Sequence, residues 1–228
     1  MNISVLIPTR GDRPQFLSNA HRLLEAQTLK PTHVEVVDDP PKDAAKKDIT
    51  WRYRIGCERI LAANPNTEAI VLIEDDDWYA HNYIETMYNN WINAGRPLVY
   101  GIGETIYYHL GMRAWLKYTH LPRASAMSTL MSAAGASKMR WPDDNYVFTD
   151  IEIWKKLTGK TFIPDKPISI GIKGYKEGAL FGGIGHRWDL CQYKINDEEL
   201  NWLKDKVDST SFEFYKKMSD LARNTGTK

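Results

Sequence analysis

The chain has 228 residues, 43% of them hydrophobic, which is enough apolar content for one substantial core and excludes a disordered polypeptide. Its 30 Lys and Arg stand against 29 Asp and Glu, so the formal net charge of +1 excludes a global attraction to nucleic acid or a membrane surface. Two cysteines, Cys57 and Cys191, make neither a disulfide framework nor a zinc site; with no signal-peptide pattern and no run of about 18 apolar residues, a soluble cytoplasmic protein is expected.

Residues 3–7 are a β-branched run that predicts a first strand, broken by Pro8-Thr9-Arg10-Gly11-Asp12. Pro14 suits the first turn of a helix, and Phe16, Leu17, Ala20, Leu23 and Leu24 recur behind it at helical spacing. Residues 33–37 predict a second strand, closed by Asp38-Asp39-Pro40-Pro41, where two prolines forbid helix or central strand. A helix over 51–63 follows, with Ile55, Ile60 and Leu61 toward the core, and residues 69–74 predict a buried third strand. Strand, helix, strand, helix, strand implies a parallel sheet with right-handed crossovers. A helix over 81–94 is stopped by Gly95-Arg96-Pro97. Beyond Leu98 the alternation weakens: strands are predicted at 98–102, 126–131 and 169–172, and helices at 150–157, 197–207 and 212–222. Residues 171–185 read as a glycine-rich mobile loop and 223–228 as a frayed tail.

The third strand runs into Glu74-Asp75-Asp76-Asp77. Four adjacent carboxylates repel one another unless a cation or dipole compensates them; the alternative is a solvated acidic turn. Ligands in open α/β sheets bind beyond the carboxyl ends of strands, and hard oxygen ligands there suit Mg or Mn bridging a phosphorylated substrate.

Three motifs, in order and at βαβ spacing, carry a resemblance: Val5-Leu6-Ile7-Pro8-Thr9-Arg10, Val36-Val37-Asp38-Asp39, and Ile73-Glu74-Asp75-Asp76-Asp77-Trp78. Together they resemble the GT-A glycosyltransferases, glycosyltransferase family 2 in particular, over roughly residues 1–80. The resemblance implies an α/β fold with a mostly parallel central sheet flanked by helices and a helical C-terminal tail. It also implies a nucleoside diphosphate sugar as donor, a UDP-sugar being expected. Pro8, Thr9 and Arg10 would line the nucleotide pocket. Asp38 and Asp39 would meet the base or ribose, Asp39 accepting the hydrogen bond, unless the pair forms a capping loop. Within the acidic motif the register stays open between Glu74 with Asp76 and Asp75 with Asp77. Asp76 and Asp77 are the expected metal ligands, with Asp75 beside them, and Mn or Mg would stabilise the leaving diphosphate. The simplest organisation is a single domain over 1–228, with a nucleotide-sugar half at 1–97, an acceptor half and mobile loop at 98–190 and a helical tail at 191–228.

In the acceptor half, Thr149-Asp150-Ile151-Glu152-Ile153-Trp154 resembles the helix start where inverting family members carry their base, and Asp150 is the catalytic candidate. Thr149 or Asp150 could equally cap that helix, and Asp143, Asp144 and Glu152 compete for the role. The glycine-rich residues 170–174 and 182–188 could approach phosphate, with Lys173 and Arg187 adding charge and His186 completing the metal shell, as a late histidine does in some GT-A enzymes. Residues 105–142 contain no acid but hold Arg113, Lys117, Arg123, Lys138 and Arg140 interleaved with aromatics. That combination suits a polyanion with exposed bases, so DNA carrying a hydroxymethylated base leads as acceptor, in the style of virus-encoded DNA-modifying glycosyltransferases acting in a host cytoplasm. A surface glycan or lipid-linked sugar is the alternative acceptor. A metal-dependent phosphate-ester enzyme such as a nucleotidyltransferase is the alternative of another class, although Pro8-Thr9-Arg10-Gly11-Asp12 has a single glycine where such enzymes carry a glycine-rich signature.

Overall fold

Strand β1 (Ile3–Pro8) is buried along its whole length in the computed structural model, which describes residues 1–41, 43, 46–177, 180–181 and 193–224. After it come α1 (Pro14–Glu25), β2 (His33–Val37), α2 (Ile49–Ala63), β3 (Ala69–Leu72), β4 (Trp78–Tyr79), α3 (Tyr83–Asn93) and β5 (Val99–Ile102). The chain continues through β6 (Glu104–His109), β7 (Ala114–Thr119), a 3-10 turn (Ala126–Ser128), β8 (Thr129–Ser132), α4 (Ala133–Lys138), α5 (Thr149–Lys156) and β9 (Gly159–Phe162). It closes with β10 (Ser169–Lys173), β11 (Lys176–Glu177), β12 (Leu180–Phe181), β13 (Ile195–Asn196), α6 (Asn201–Lys206) and α7 (Ser209–Asn224).

The main sheet has the order β2-β1-β3-β8-β5-β9. The βαβ units place β1 parallel to both β2 and β3, as their spacing predicts; β8 enters antiparallel between β3 and β5, and β9 pairs parallel with β5. Period-two alternation sends Ile3, Val5, Ile7 and Val71 to one face of this sheet and Leu6, Ile70 and Leu72 to the other. The first face packs on α1, α3 and α7; the second packs on α2, α4 and α5. Helix α2 lies close because Gly56 faces the sheet, where a Cβ would stand 2.2 Å from a Leu6 methyl carbon.

Of a second sheet, β13-β7-β6-β10-β4, the sequence reading foresaw only β10, as the strand at 169–172. Its β6–β7 hairpin falls in the basic and aromatic residues that read as a binding stretch, and β4 is too short to carry a period. Strand β10 matches the strand predicted at 169–172 and extends it to Lys173, so 171–173 are not part of the loop predicted over 171–185. The third strand stops at Leu72, two residues early, because the chain turns to present its carboxylates. The predicted 126–131 strand begins as the 3-10 turn. The predicted 197–207 helix shortens to α6 because Asp197 caps it from outside, accepting from the backbone of Trp202 and Leu203 at 2.9 and 3.1 Å. Helix α7, predicted at 212–222, packs into the core: Tyr215 and Met218 are buried, and Phe214 packs edge-on to Phe16.

Candidate functional site

Parallel pairing brings the ends of β1, β2 and β3 to one edge of the sheet. There the Thr9 backbone N–H donates to Val37 O at 3.1 Å and the Thr9 hydroxyl donates to Asp75 at 2.6 Å. Behind these strand ends lies Arg52, 1% exposed, whose guanidinium donates to the carbonyls of Thr9, Val37 and Asp39 and to the Asp48 carboxylate. It satisfies backbone acceptors at the ends of two separate strands, β1 and β2, so it fixes the cradle's shape.

The four acids divide into two groups. Asp75 is filled on both oxygens, by Thr9 and by Arg13 at 2.6 Å. Arg13, just ahead of α1, also donates to Asp76 Oδ2 at 2.7 Å, so one guanidinium bridges neighbouring carboxylates. Glu74, Asp76 and Asp77 form the second group, with one oxygen from each within 4.8 Å of the others. Asp77 Oδ1 accepts from the Ile172 backbone at 2.7 Å and lies 3.5 Å from Lys173 Nζ. Its Oδ2 is buried with no hydrogen-bond partner, and the Glu74 carboxylate stands beside it in the same group. Glu74 also accepts from the Tyr53 hydroxyl at 3.2 Å and lies 4.0 Å from Lys173 Nζ. Two carboxylates facing each other around an orphaned buried oxygen fit a divalent cation with oxygen ligands.

Burial dominates the protonation of this cluster. It raises Asp77 well above the usual carboxylate range against the pull of Lys173, raises Glu74, and lifts Asp75 to about 6 despite Arg13. Burial works against Asp76 too, but there Arg13 and then Lys173 prevail and hold it below its ordinary value.

Asp150 lies in the first turn of α5, which a 2.5 Å contact between the Thr50 and Thr149 hydroxyls ties to the start of α2. Burial raises its pKa; an ion pair with Arg123 at 2.7 Å opposes that. The N-cap position of α5 is Phe148, so neither Thr149 nor Asp150 occupies it.

Other expected residues stand differently. Asp39 gives both oxygens to Arg59, at 2.7 and 2.9 Å, and so offers no free carboxylate edge; Asp38 is exposed. Arg10 bonds Asp48 at 2.9 Å, turned toward α2. Lys173 sits on β10 among the acids and not on a loop. Asp144 is engaged by Arg54 and Glu152 by Lys155 and Lys156. His186 and Arg187 lie outside the described residues. The basic stretch is not a free cationic stripe: Arg113 pairs with Asp220, Lys117 with Glu104 and Arg123 with Asp150, while Tyr107 and Tyr108 are buried. Acids outside the stretch, Glu104, Asp150 and Asp220, supply the charge that residues 105–142 lack. Arg13, Arg52 and Tyr53 are absent from the sequence-derived site, and Arg123 was read there as an acceptor contact and not as the partner of Asp150; the signal available for Arg52 was Asp48 four residues ahead on a helical face.

These elements define a GT-A-type fold, with the acids at the carboxyl edge of the parallel strands. Among solved structures, S. aureus TarS 1–349 in complex with UDP-GlcNAc shares that fold at a TM-score of 0.53 and 10% identity, over 78% of this chain and 60% of that one. The chain therefore spans less than two thirds of the TarS fragment. A197 from STIV aligns over 72% of this chain and 82% of its own at 11% identity and a TM-score of 0.47. A glycosyltransferase involved in the glycosylation of the major capsid of PBCV-1 aligns over 72% and 83% at 9% identity and a TM-score of 0.41. No family model and no curated protein matches the chain. Among the described residues no helix is long and apolar enough to cross a membrane.

Proposed function

We propose that the protein is a metal-dependent glycosyltransferase that moves a sugar, with inversion, from a nucleoside diphosphate sugar to an acceptor hydroxyl. The observation that carries the reading is the Glu74, Asp76 and Asp77 group with the orphaned Asp77 Oδ2, set at the carboxyl edge of a GT-A-type sheet. The UDP-GlcNAc complex of the TarS fragment supports a UDP-sugar as donor. Glu74, Asp76 and Asp77 would hold Mn or Mg, which when bound neutralises the diphosphate as it leaves. Thr9 and Arg52 shape the nucleotide cradle through backbone and Asp75 contacts, and Asp38 offers the carboxylate that Asp39 commits to Arg59. His186 and Arg187 remain candidates for a further metal ligand and a phosphate contact.

Asp150 takes the proton from the acceptor hydroxyl as that oxygen attacks the anomeric carbon. Its burial favours the neutral form and so strengthens it as a base, while Arg123 keeps it ionised enough to act. The pairing of Arg113, Lys117 and Arg123 with acids favours a saccharide acceptor over hydroxymethylated DNA, because few cations of that stretch are left to neutralise phosphates.

The test is release of nucleoside diphosphate from UDP-sugars with Mn, alone, with hydroxymethylated DNA and with a panel of glycans. Stimulation by a glycan supports the reading with its saccharide acceptor, and stimulation by the DNA restores the nucleic-acid acceptor. Absence of release from every common donor overturns the glycosyltransferase and returns the site to phosphate-ester chemistry or to binding without turnover.

A further inference from the structure

Lys173 is nearly fully buried, 3.5 Å from Asp77 and 4.0 Å from Glu74, in the same group of carboxylates that the proposed function assigns to a divalent ion. An ion bonded to either of those oxygens at about 2.1 Å would lie within about 6 Å of the ammonium, by the triangle inequality. Metal and ammonium therefore compete for the same carboxylate charge. Glu74, Asp75, Asp76 and Asp77 face Arg13 and Lys173, so four carboxylates meet two cations. A diphosphate added next brings new negative charge to which an ammonium can turn.

The backbone lets the side chain do this without moving itself. Strand pairing sets Lys173 opposite His109, and its carbonyl accepts from the Leu110 N–H at 2.8 Å. Gly174 follows at φ +74°, and a Cβ there would stand 2.0 Å from the His109 ring, so the turn is held by close packing. The ammonium itself lies 5.7 Å from the Tyr107 ring centroid, a weak second cation site beside the carboxylates. Swinging the four-carbon stem is thus the available motion.

We propose that Lys173 is a resident cation that occupies the Glu74–Asp77 pair until divalent ion and diphosphate arrive together, making their binding cooperative. The inference rests on the proposed function, since it takes the acidic group as the metal site. Lys173 is then a positioning residue whose ammonium passes from the carboxylates to the donor's phosphates.

The experiment measures Mn2+ binding by calorimetry or Mn2+ electron paramagnetic resonance, with and without UDP, in the wild type, Lys173→Met and Lys173→Arg. The wild type should bind Mn2+ at least about 10-fold tighter with UDP than without, and UDP should show the same factor with Mn2+. Lys173→Met should bind Mn2+ alone at least about 10-fold tighter than the wild type and lose several-fold of the coupling. Lys173→Arg, whose planar fork grips two carboxylates, should bind Mn2+ alone more weakly than the wild type. Should the Met variant fail to fold, the Arg variant decides: Mn2+ binding equal to or tighter than the wild type overturns the proposal. A Met variant with unchanged Mn2+ affinity and unchanged coupling also overturns it, while leaving the glycosyltransferase reading intact. Failure of the wild type to bind Mn2+ and UDP in any combination overturns both.

Discussion

Replacing Arg13 with Ala tests what holds the acidic turn together. Arg13 donates to Asp75 at 2.6 Å and to Asp76 at 2.7 Å, and those side chains are 2% and 8% exposed while its own is 17% exposed. Removing one partner of a buried pair leaves an uncompensated charge and costs about 3–5 kcal/mol. Here the lower end applies, because burial already lifts Asp75 to about 6 and a proton can replace part of the lost cation. For a domain of this size each kcal/mol shifts Tm by about 2–4 °C, so a drop of about 6–12 °C is expected. The assay is thermal unfolding followed by circular dichroism at neutral pH, with and without millimolar Mn2+. Added Mn2+ should recover more of the loss in Arg13→Ala than it adds to the wild type, because the ion supplies charge the variant lacks. Arg13→Lys should fall between, since an ammonium keeps the charge but not the fork that meets two carboxylates. A Tm within about 1 °C of the wild type would refute the reasoning, because buried ion pairs of this geometry cannot be silent.

Asp150→Asn should retain UDP binding by calorimetry and lose about 100- to 10,000-fold in kcat; full activity would remove Asp150 as the base. Because the base acts deprotonated, kcat/KM should fall as pH drops through the raised pKa of Asp150, and Arg123→Met should move that acid limb upward; an unmoved limb assigns it to another group. Asp76→Ala should weaken Mn2+ binding beyond the roughly 10- to 100-fold that loss of an outer-shell partner costs, and abolish transfer. Gly174→Ala combines a φ of +74° with a Cβ 2.0 Å from the His109 ring, so urea unfolding should show a loss of about 1–3 kcal/mol or more. Wild-type stability would mean that the turn after β10 relaxes freely.

The amino-acid sequence determined what is local: the strands predicted at 3–7, 33–37 and 69–74 (the last ending at Leu72), the helices between them, and the placing of Pro8-Thr9, Asp38-Asp39 and the four acids at strand ends. Short-range periodicity suffices there, because a right-handed βαβ unit allows few other arrangements. Partnership was decided by the tertiary structure. Arg13 reaches Asp75 across 62 positions, Lys173 reaches Asp77 across 96, and Arg123 reaches Asp150 across 27. No period in the chain encodes such pairs, and each alters what a neighbouring carboxylate can do. That is why the acidic run was legible as a site while its register was not. Glu74 joins Asp76 and Asp77 because the turn after β3 spends Asp75 on Thr9 and Arg13. The same physics reassigned the basic stretch: residues 105–142 lack acids in sequence, but the fold brings Glu104, Asp150 and Asp220 to meet them.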